Sequence, residues 1–228
     1  MRMRVALPAL LALIITSLGH AQNRAGQNWT EGTNYFPVIP AQHTDVPAGK
    51  IEVAEIFSYG CPYCAQVNPL IQQLKKSLPK NAQLVFVPAS FNPSEDWPMF
   101  QRATCTAQTL GILDKTHDAM FDAVWQGSDL AVIDPATRGV KSRLPTIEDA
   151  AKFYKAKAGV PVDKFLSTAK GFTVDVKVRA AESLIQAYRV YRTPTIVVNG
   201  KYRLHTESAG GNDELVELVK WLVAKESK

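Results

Sequence analysis

Cys61 and Cys64 stand three apart in the stretch IFSYGCPYCAQVNPL, residues 56–70, where an apolar run gives way to helical spacing. Two thiols so placed can hold a metal, brace the fold as a disulfide, or exchange disulfides with another molecule. Zinc needs about four ligands. Of the other candidates, Cys105 is solitary, and His43, His117 and His205 show no paired ligand spacing, which leaves the set two short. As a brace, a bridge between residues three apart closes a very small loop and removes little entropy from the unfolded chain. Reactivity is the chemistry that remains.

Local geometry favours it. With Pro62 at the first helical position, where its missing N–H costs nothing, Cys61 becomes the helix N-cap and its sulfur lies near unpaired backbone N–H groups. Their partial positive charge stabilises a thiolate, which makes Cys61 the nucleophile and leaving group. Cys64, one turn further in and more buried, is placed to resolve a mixed disulfide made by Cys61. Glu55 lies six residues before Cys61 in the otherwise apolar VAEIF. A carboxylate belongs there only at an exposed strand edge or with work to do.

These residues need a scaffold. The chain has 228 residues, 46% hydrophobic and 21% charged, enough for one domain or one domain with a large insertion. Residues 1–21 read as a secretory signal: Arg2 and Arg4, then apolar Val5 to Leu18, then small residues at Gly19-His20-Ala21. The apolar part is too short to span a bilayer comfortably. Export matters because a close cysteine pair persists as a disulfide only in an oxidising compartment. The formal charge of +5 is spread without a continuous basic stripe, so nucleic acid is not an expected partner.

Residues 22–50, rich in Gly and Pro, read as an extended arm. Ile51 to Phe57 suits a buried strand, Pro62 to about Leu78 a helix with Pro69 inside it, and Leu84 to Val87 a second strand. Strand signals then vanish. Amphipathic segments follow at Trp97 to Leu110, Thr116 to Trp125, Ile147 to Ala158, Val162 to Ala169 and Val174 to Val190, which fit three to five helices. Strand character returns at Thr195 to Val198 and Lys201 to Leu204 around the hairpin signal Asn199-Gly200, and Asp213 to Lys225 closes the chain as a helix. Cys105 reads as a small buried or half-buried thiol. Trp97, Phe121, Trp125 and Trp221 read as core aromatics rather than a cofactor box.

Strand, FSYGCPYC, a helix with a proline eight residues after the first cysteine, a helical block, then RTPTIVVNGKY: this series resembles the DsbA-type periplasmic thiol:disulfide oxidoreductases of the thioredoxin superfamily. The resemblance implies an α/β thioredoxin fold from residues 51–92 and 190–228, interrupted by an inserted all-helical domain at 93–189. It implies that Thr193-Pro194 is a cis pair facing the cysteines and meeting the substrate backbone, and that Glu55 is a buried acid handling the proton of Cys64. Some relatives place a lysine near this acid, and residues 83–90 contain none, so its pKa should be raised further. The implied protein is a monomeric periplasmic dithiol oxidase without bound cofactor, acting on reduced exported polypeptides and reoxidised by a quinone-linked membrane partner of the DsbB type. Two alternatives are a reductase or isomerase of the same fold, for whose usual N-terminal dimerisation domain residues 22–50 are too short, and a non-catalytic peptide-binding chaperone.

Pro62 and Tyr63 are the residues expected to tune the pair. Well-known members of the family carry histidine where Tyr63 stands, and histidine can offer the thiolate a hydrogen bond or a charge that tyrosine lacks at neutral pH. Tyr63→His is therefore expected to lower the Cys61 pKa and raise the reduction potential, each ~1.4 kcal/mol gained by the reduced form appearing as about 30 mV. Thiolate absorbance and equilibration with glutathione measure both. An unchanged potential would remove Tyr63 from the tuning set.

Overall fold

The computed structural model describes residues 28–127 and 129–227; the expected signal at residues 1–21 lies outside the described residues. A five-stranded sheet forms the centre. Strand β1 spans Phe36–Pro37, β2 Ile51–Phe57, β3 Ala82–Pro88, β4 Thr195–Val198 and β5 Tyr202–Leu204, in the order β1-β5-β4-β2-β3. Only β2 and β3 run parallel, which requires a crossover, supplied by helix α1 (Pro62–Ser77). β2 is buried along its full length, as a β-branched strand covered on both faces should be. Its alternation sends Val53 and Phe57 into the larger apolar cluster and Ala54 and Ile56 into a smaller one, so Glu55 faces the larger cluster with Val53 and Phe57.

The helical block comprises α2 (Trp97–Thr109), α3 (Leu113–Trp125), α4 (Ile147–Ala158), α5 (Val162–Ala169) and α6 (Phe172–Ala187); α7 (Thr206–Ala209) and α8 (Asn212–Glu226) complete the chain. On the larger cluster's side, α1 contributes Val67, Ile71 and Leu74, and α8 contributes Leu215, Leu218, Val219 and Leu222. On the other side, Ala181 and Ile185 of α6 pack with Tyr188 on Ala54, Ile56 and Val197. The helical block is thus not a separate lobe. Its last helix covers one face of the sheet, and Phe121 of α3 meets Phe57 of β2 at 6.0 Å between ring centroids.

α4 and α5 fall where the pattern placed them. For α4 the cause is visible: Thr146 and Asp149 form a reciprocal capping box, and Gly159 at φ 72° ends the helix. α3 begins three residues earlier than its apolar spacing suggested, at Leu113, and α6 runs from Phe172 and stops at Ala187. Arg189, just beyond, adopts φ 53°, a left-handed conformation that a continuing helix does not allow. β1, a 3-10 turn at Pro93–Glu95 and α7 are too short to have given a periodic signal. Cys105 is buried, and burial pushes its thiol up to about 11. Trp97 and Phe121 are core residues as expected, but Trp125 and Trp221 are not, being 37% and 39% exposed. Helical spacing identifies a face, and at both positions that face meets the edge of the core.

The arm is stitched to the hairpin by Val38 N–H to the Lys201 carbonyl at 2.7 Å and Gln42 N–H to the Gly200 carbonyl at 2.9 Å. Asn199 and Gly200 take φ 53° and 64°, as a type I′ turn requires. A side chain at Gly200 would run into the Gln42 backbone. Gly200→Ala is therefore expected to cost about 1–3 kcal/mol, from overpacking against a backbone that cannot rotate away and from a left-handed φ. Urea unfolding measures it, and an unchanged midpoint would show that the arm is not held by this contact.

Candidate active site

Cys61 is the N-cap of α1, with φ −85° and ψ 118°, and Pro62 begins the helix. Its Sγ accepts from the Cys64 N–H at 3.4 Å and lies 3.4 Å from the Thr193 carbonyl oxygen, and the Thr193-Pro194 bond is cis. The Cys61 pKa is lowered to about 6: a hydrogen bond from the Cys64 thiol contributes most, and the Thr193 side chain and the Cys64 and Tyr63 amides add to it against the cost of burial. At pH 7 roughly nine-tenths of the sulfur is then thiolate. The Thr193 carbonyl works the other way, since it can accept only from the protonated thiol, but the donors outweigh it.

Cys64 has the opposite fate. It is fully buried, and burial first, then its hydrogen bond to Cys61, hold its thiol well above the ordinary cysteine range. Glu55 is 1% exposed, and its Oε2 has no hydrogen-bond partner. Its register partners are Phe86 on β3 and Ile196 on β4, so neither neighbouring strand offers a cation or donor directly opposite. Burial, with the nearby Cys61 charge, raises its pKa to about 8. The Glu55 charge acts in turn on the Cys64 thiol, so the two groups share one buried electrostatic environment, and a carboxyl with a pKa near 8 can exchange a proton near neutral pH. The exposed-edge alternative for Glu55 does not hold.

The loop into Cys61 is gripped by the helical block, a feature that sequence reasoning missed. Tyr59 is fully buried, and its hydroxyl and His117 Nδ1 on α3 share a hydrogen bond of 2.9 Å. The Trp125 indole N–H, one end of the same helix, donates to the Tyr59 carbonyl at 2.9 Å. A side chain at Gly60 would strike the Trp97 indole, which explains why only glycine fits there. Ser58 completes the turn by accepting the Cys61 N–H at its carbonyl and the Gly60 N–H at its hydroxyl. Burial holds His117 down to about 4, so it is a neutral clamp rather than a charge. Asn68, one turn beyond Cys64, reaches Asp118 of α3 at 2.9 Å. Tyr59 lies inside the quoted motif and carried a readable signal; His117 carried none.

Beside Cys61 a groove of about 470 Å³ is lined by Tyr63, Val67, Arg192, Thr193 and Pro194, with Glu207 across it. Tyr63 is 66% exposed and forms part of the wall. Of the site residues expected from sequence, Tyr63, Thr193 and Pro194 line this groove, Cys61 touches Thr193 beside it, and Pro62, Cys64 and Glu55 lie behind Cys61 in α1 and β2. Among the described residues, no group of three or more His, Cys, Asp or Glu side chains is placed to hold a metal ion.

Glu55 links this geometry to pH. Its carboxyl ionises near 4.5 in the unfolded chain but near 8 in the folded one, so unfolding releases a proton between those values and stability falls as pH rises through that window. Glu55→Gln removes the effect. The variant is expected to gain on the order of 3 kcal/mol relative to wild type on going from pH 4 to pH 8, measured by urea unfolding. Parallel stability curves would mean that Glu55 is ionised in the folded protein.

Comparison with known proteins agrees with this arrangement. The family model described as the DSBA-like thioredoxin domain matches residues 52–222. The thiol:disulfide interchange protein DsbA of Pseudomonas aeruginosa is 34% identical over 87% of this chain and 86% of its own; that of Pseudomonas syringae pv. tomato is 34% identical over 94% and 92%. Among solved structures, Pseudomonas aeruginosa DsbA superposes with a TM-score of 0.73 at 34% identity, covering 87% of this chain and 94% of that one. The oxidoreductase DsbA from Xylella fastidiosa gives 0.71 at 31% identity, over 86% and 96%. A thioredoxin fold with an inserted helical domain, a cysteine pair of opposed acidities and matches spanning most of both chains place this protein in the DsbA-like thioredoxin-domain family of thiol:disulfide oxidoreductases.

Proposed function

We propose that the protein is a periplasmic dithiol oxidase that introduces disulfides into exported polypeptides. The observation carrying this reading is the split between the two thiols: Cys61 is held down to about 6 and Cys64 well above its ordinary range. A stabilised Cys61 thiolate stabilises the reduced enzyme, and a couple whose reduced form is stabilised is an oxidant. A reductase of the same fold stabilises its thiolate less.

In the reaction, a substrate thiolate attacks Cys61 Sγ of the oxidised pair, the Cys61–Cys64 bond breaks, and a mixed disulfide forms. Cys64 departs with both bonding electrons and takes a proton, a step the reading assigns to Glu55, whose raised pKa supports it. A second substrate thiolate then attacks the substrate sulfur of the mixed disulfide. Cys61 leaves as the thiolate that the N-cap stabilises, the substrate has lost two electrons, and the enzyme holds them as a dithiol. The substrate backbone would lie along Thr193-Pro194 in the groove, borrowing main-chain hydrogen bonds as an added strand does. The two electrons must then be passed on, and the reading assigns that step to a quinone-linked membrane partner of the DsbB type. The protein itself works as a monomer, and no described helix is long and apolar enough to cross a membrane.

The cysteines separate this reading from that of a peptide-binding chaperone. Without Cys64 a mixed disulfide on Cys61 cannot be reversed from within the enzyme, so Cys64→Ala is expected to accumulate mixed disulfides with exported proteins in cells, while Cys61→Ala accumulates none. Non-reducing electrophoresis followed by reduction reads the result. Equal trapping by both variants would overturn the assigned roles, and a Cys61→Ala protein with full activity would favour the chaperone.

A further inference from the structure

Beyond the groove, Arg189, Arg192, Arg203 and His205 line a second cavity of about 210 Å³, with Phe36 and Tyr191 among its walls. Arg192 belongs to both spaces and directly precedes Thr193, whose carbonyl oxygen lies 3.4 Å from Cys61 Sγ. Gathering three guanidinium groups around one small space costs repulsion. Among the described residues, the carboxylate ion-paired with this cluster is Glu207, 3.5 Å from Arg192, and it is 72% exposed, where a pair is worth little. The cluster therefore keeps an excess of positive charge.

It is also held in place. Arg203 donates through Nη1 to the carbonyls of Tyr188 and Arg189 at 3.1 and 2.6 Å, and its guanidinium carbon lies 5.8 Å from the centre of the Phe36 ring. The rest of its fork is oriented without being spent on those two bonds. Arg189 follows α6 with a left-handed backbone, φ 53°, and its side chain lines the same cavity. Burial, then Arg192, hold the His205 pKa below the ordinary histidine range, so the imidazole adds a polar wall and not a fourth charge. A preformed fork beside two further arginines suits the planar oxygens of a carboxylate.

We propose that this cavity is a carboxylate-binding subsite that takes an acidic side chain of the substrate polypeptide close to the cysteine joined to Cys61. A peptide extended along Thr193-Pro194 advances about 3.3 Å per residue, so an Asp or Glu roughly two to four residues from the reacting cysteine reaches the Arg192 end. The subsite makes the oxidase selective for cysteines in acidic surroundings. The inference rests on the oxidase reading, in which the substrate lies in the groove.

The test uses three dithiol peptides that differ at one position near the reacting cysteine, carrying Glu, Gln or Lys, oxidised by the full-length protein. At low salt kcat/KM is expected to favour Glu over Gln by roughly fivefold, with Lys lowest, and the preference should shrink toward one at high ionic strength. In the double variant Arg189→Gln, Arg192→Gln the Glu-to-Gln ratio should fall to near one. Inorganic phosphate and acetate form the second arm: selective slowing of the Glu peptide supports the subsite. Binding of phosphate alone, seen by NMR of the arginine side chains, while Glu and Gln peptides react equally would show a small-anion site and overturn the substrate role. Oxidation of the Gln peptide without any preference for Glu overturns the subsite and leaves the oxidase reading standing. Failure to oxidise any of the three peptides removes both.

Discussion

One negative charge can rest beneath the first turn of α1, and three acidic groups compete for it. Cys61, Cys64 and Glu55 lie close enough for the Cys61 charge to raise the pKa of both others. Cys61 has the Cys64 and Tyr63 amides and the end of a helix dipole to receive it, whereas the one backbone bond that Ser58 offers Cys64 is outweighed by burial. Because the charge is settled there, Cys64 and Glu55 stay protonated near neutral pH. Moving the charge to either would place an ion in the buried interior without a compensating cation, at a cost of several kcal/mol. The rest of the fold serves to keep that ranking in force.

Two structures keep it. The sheet buries Glu55 by placing it in a strand covered on both faces and opposite Phe86 and Ile196. The helical block holds the entry to α1 from outside, with His117 on the Tyr59 side chain, Trp125 on the Tyr59 carbonyl and Trp97 closing over Gly60. The insertion therefore acts on the site from behind, since the residues that line the groove come from α1, the Thr193-Pro194 loop and the chain around α7 and α8. It fixes the turn from which Cys61 enters the helix, and a sulfur with two contacts at 3.4 Å tolerates little movement of that turn.

Much of this was legible in the sequence because its causes are local. An N-cap cysteine followed by proline, a β-branched strand and an Asn-Gly turn each act within a few residues. The acid in VAEIF was readable as an anomaly, although its burial needed the sheet. What escaped depends on contacts across the fold: Tyr59 and His117 are 58 positions apart, and the arginines of the second cavity meet only because the end of α6 and strand β5 come together beside Arg192. The half-exposed Trp125 was misjudged for the same reason, since spacing cannot tell a core ring from one that reaches back to a loop.

The central claim is that the Cys61 thiolate stabilises the reduced protein, and the unfolding free energies of the reduced and oxidised forms between pH 5 and 9 test it most directly. A cysteine with a pKa near 6 when folded and near 9 when unfolded contributes stability that is lost as pH falls through 6 and complete only above 9. The oxidised form carries no such group. The reduced form is therefore expected to gain on the oxidised one as pH rises from about 6 to 9, by about 1 kcal/mol per pH unit. A difference that stays level across that range would contradict the account.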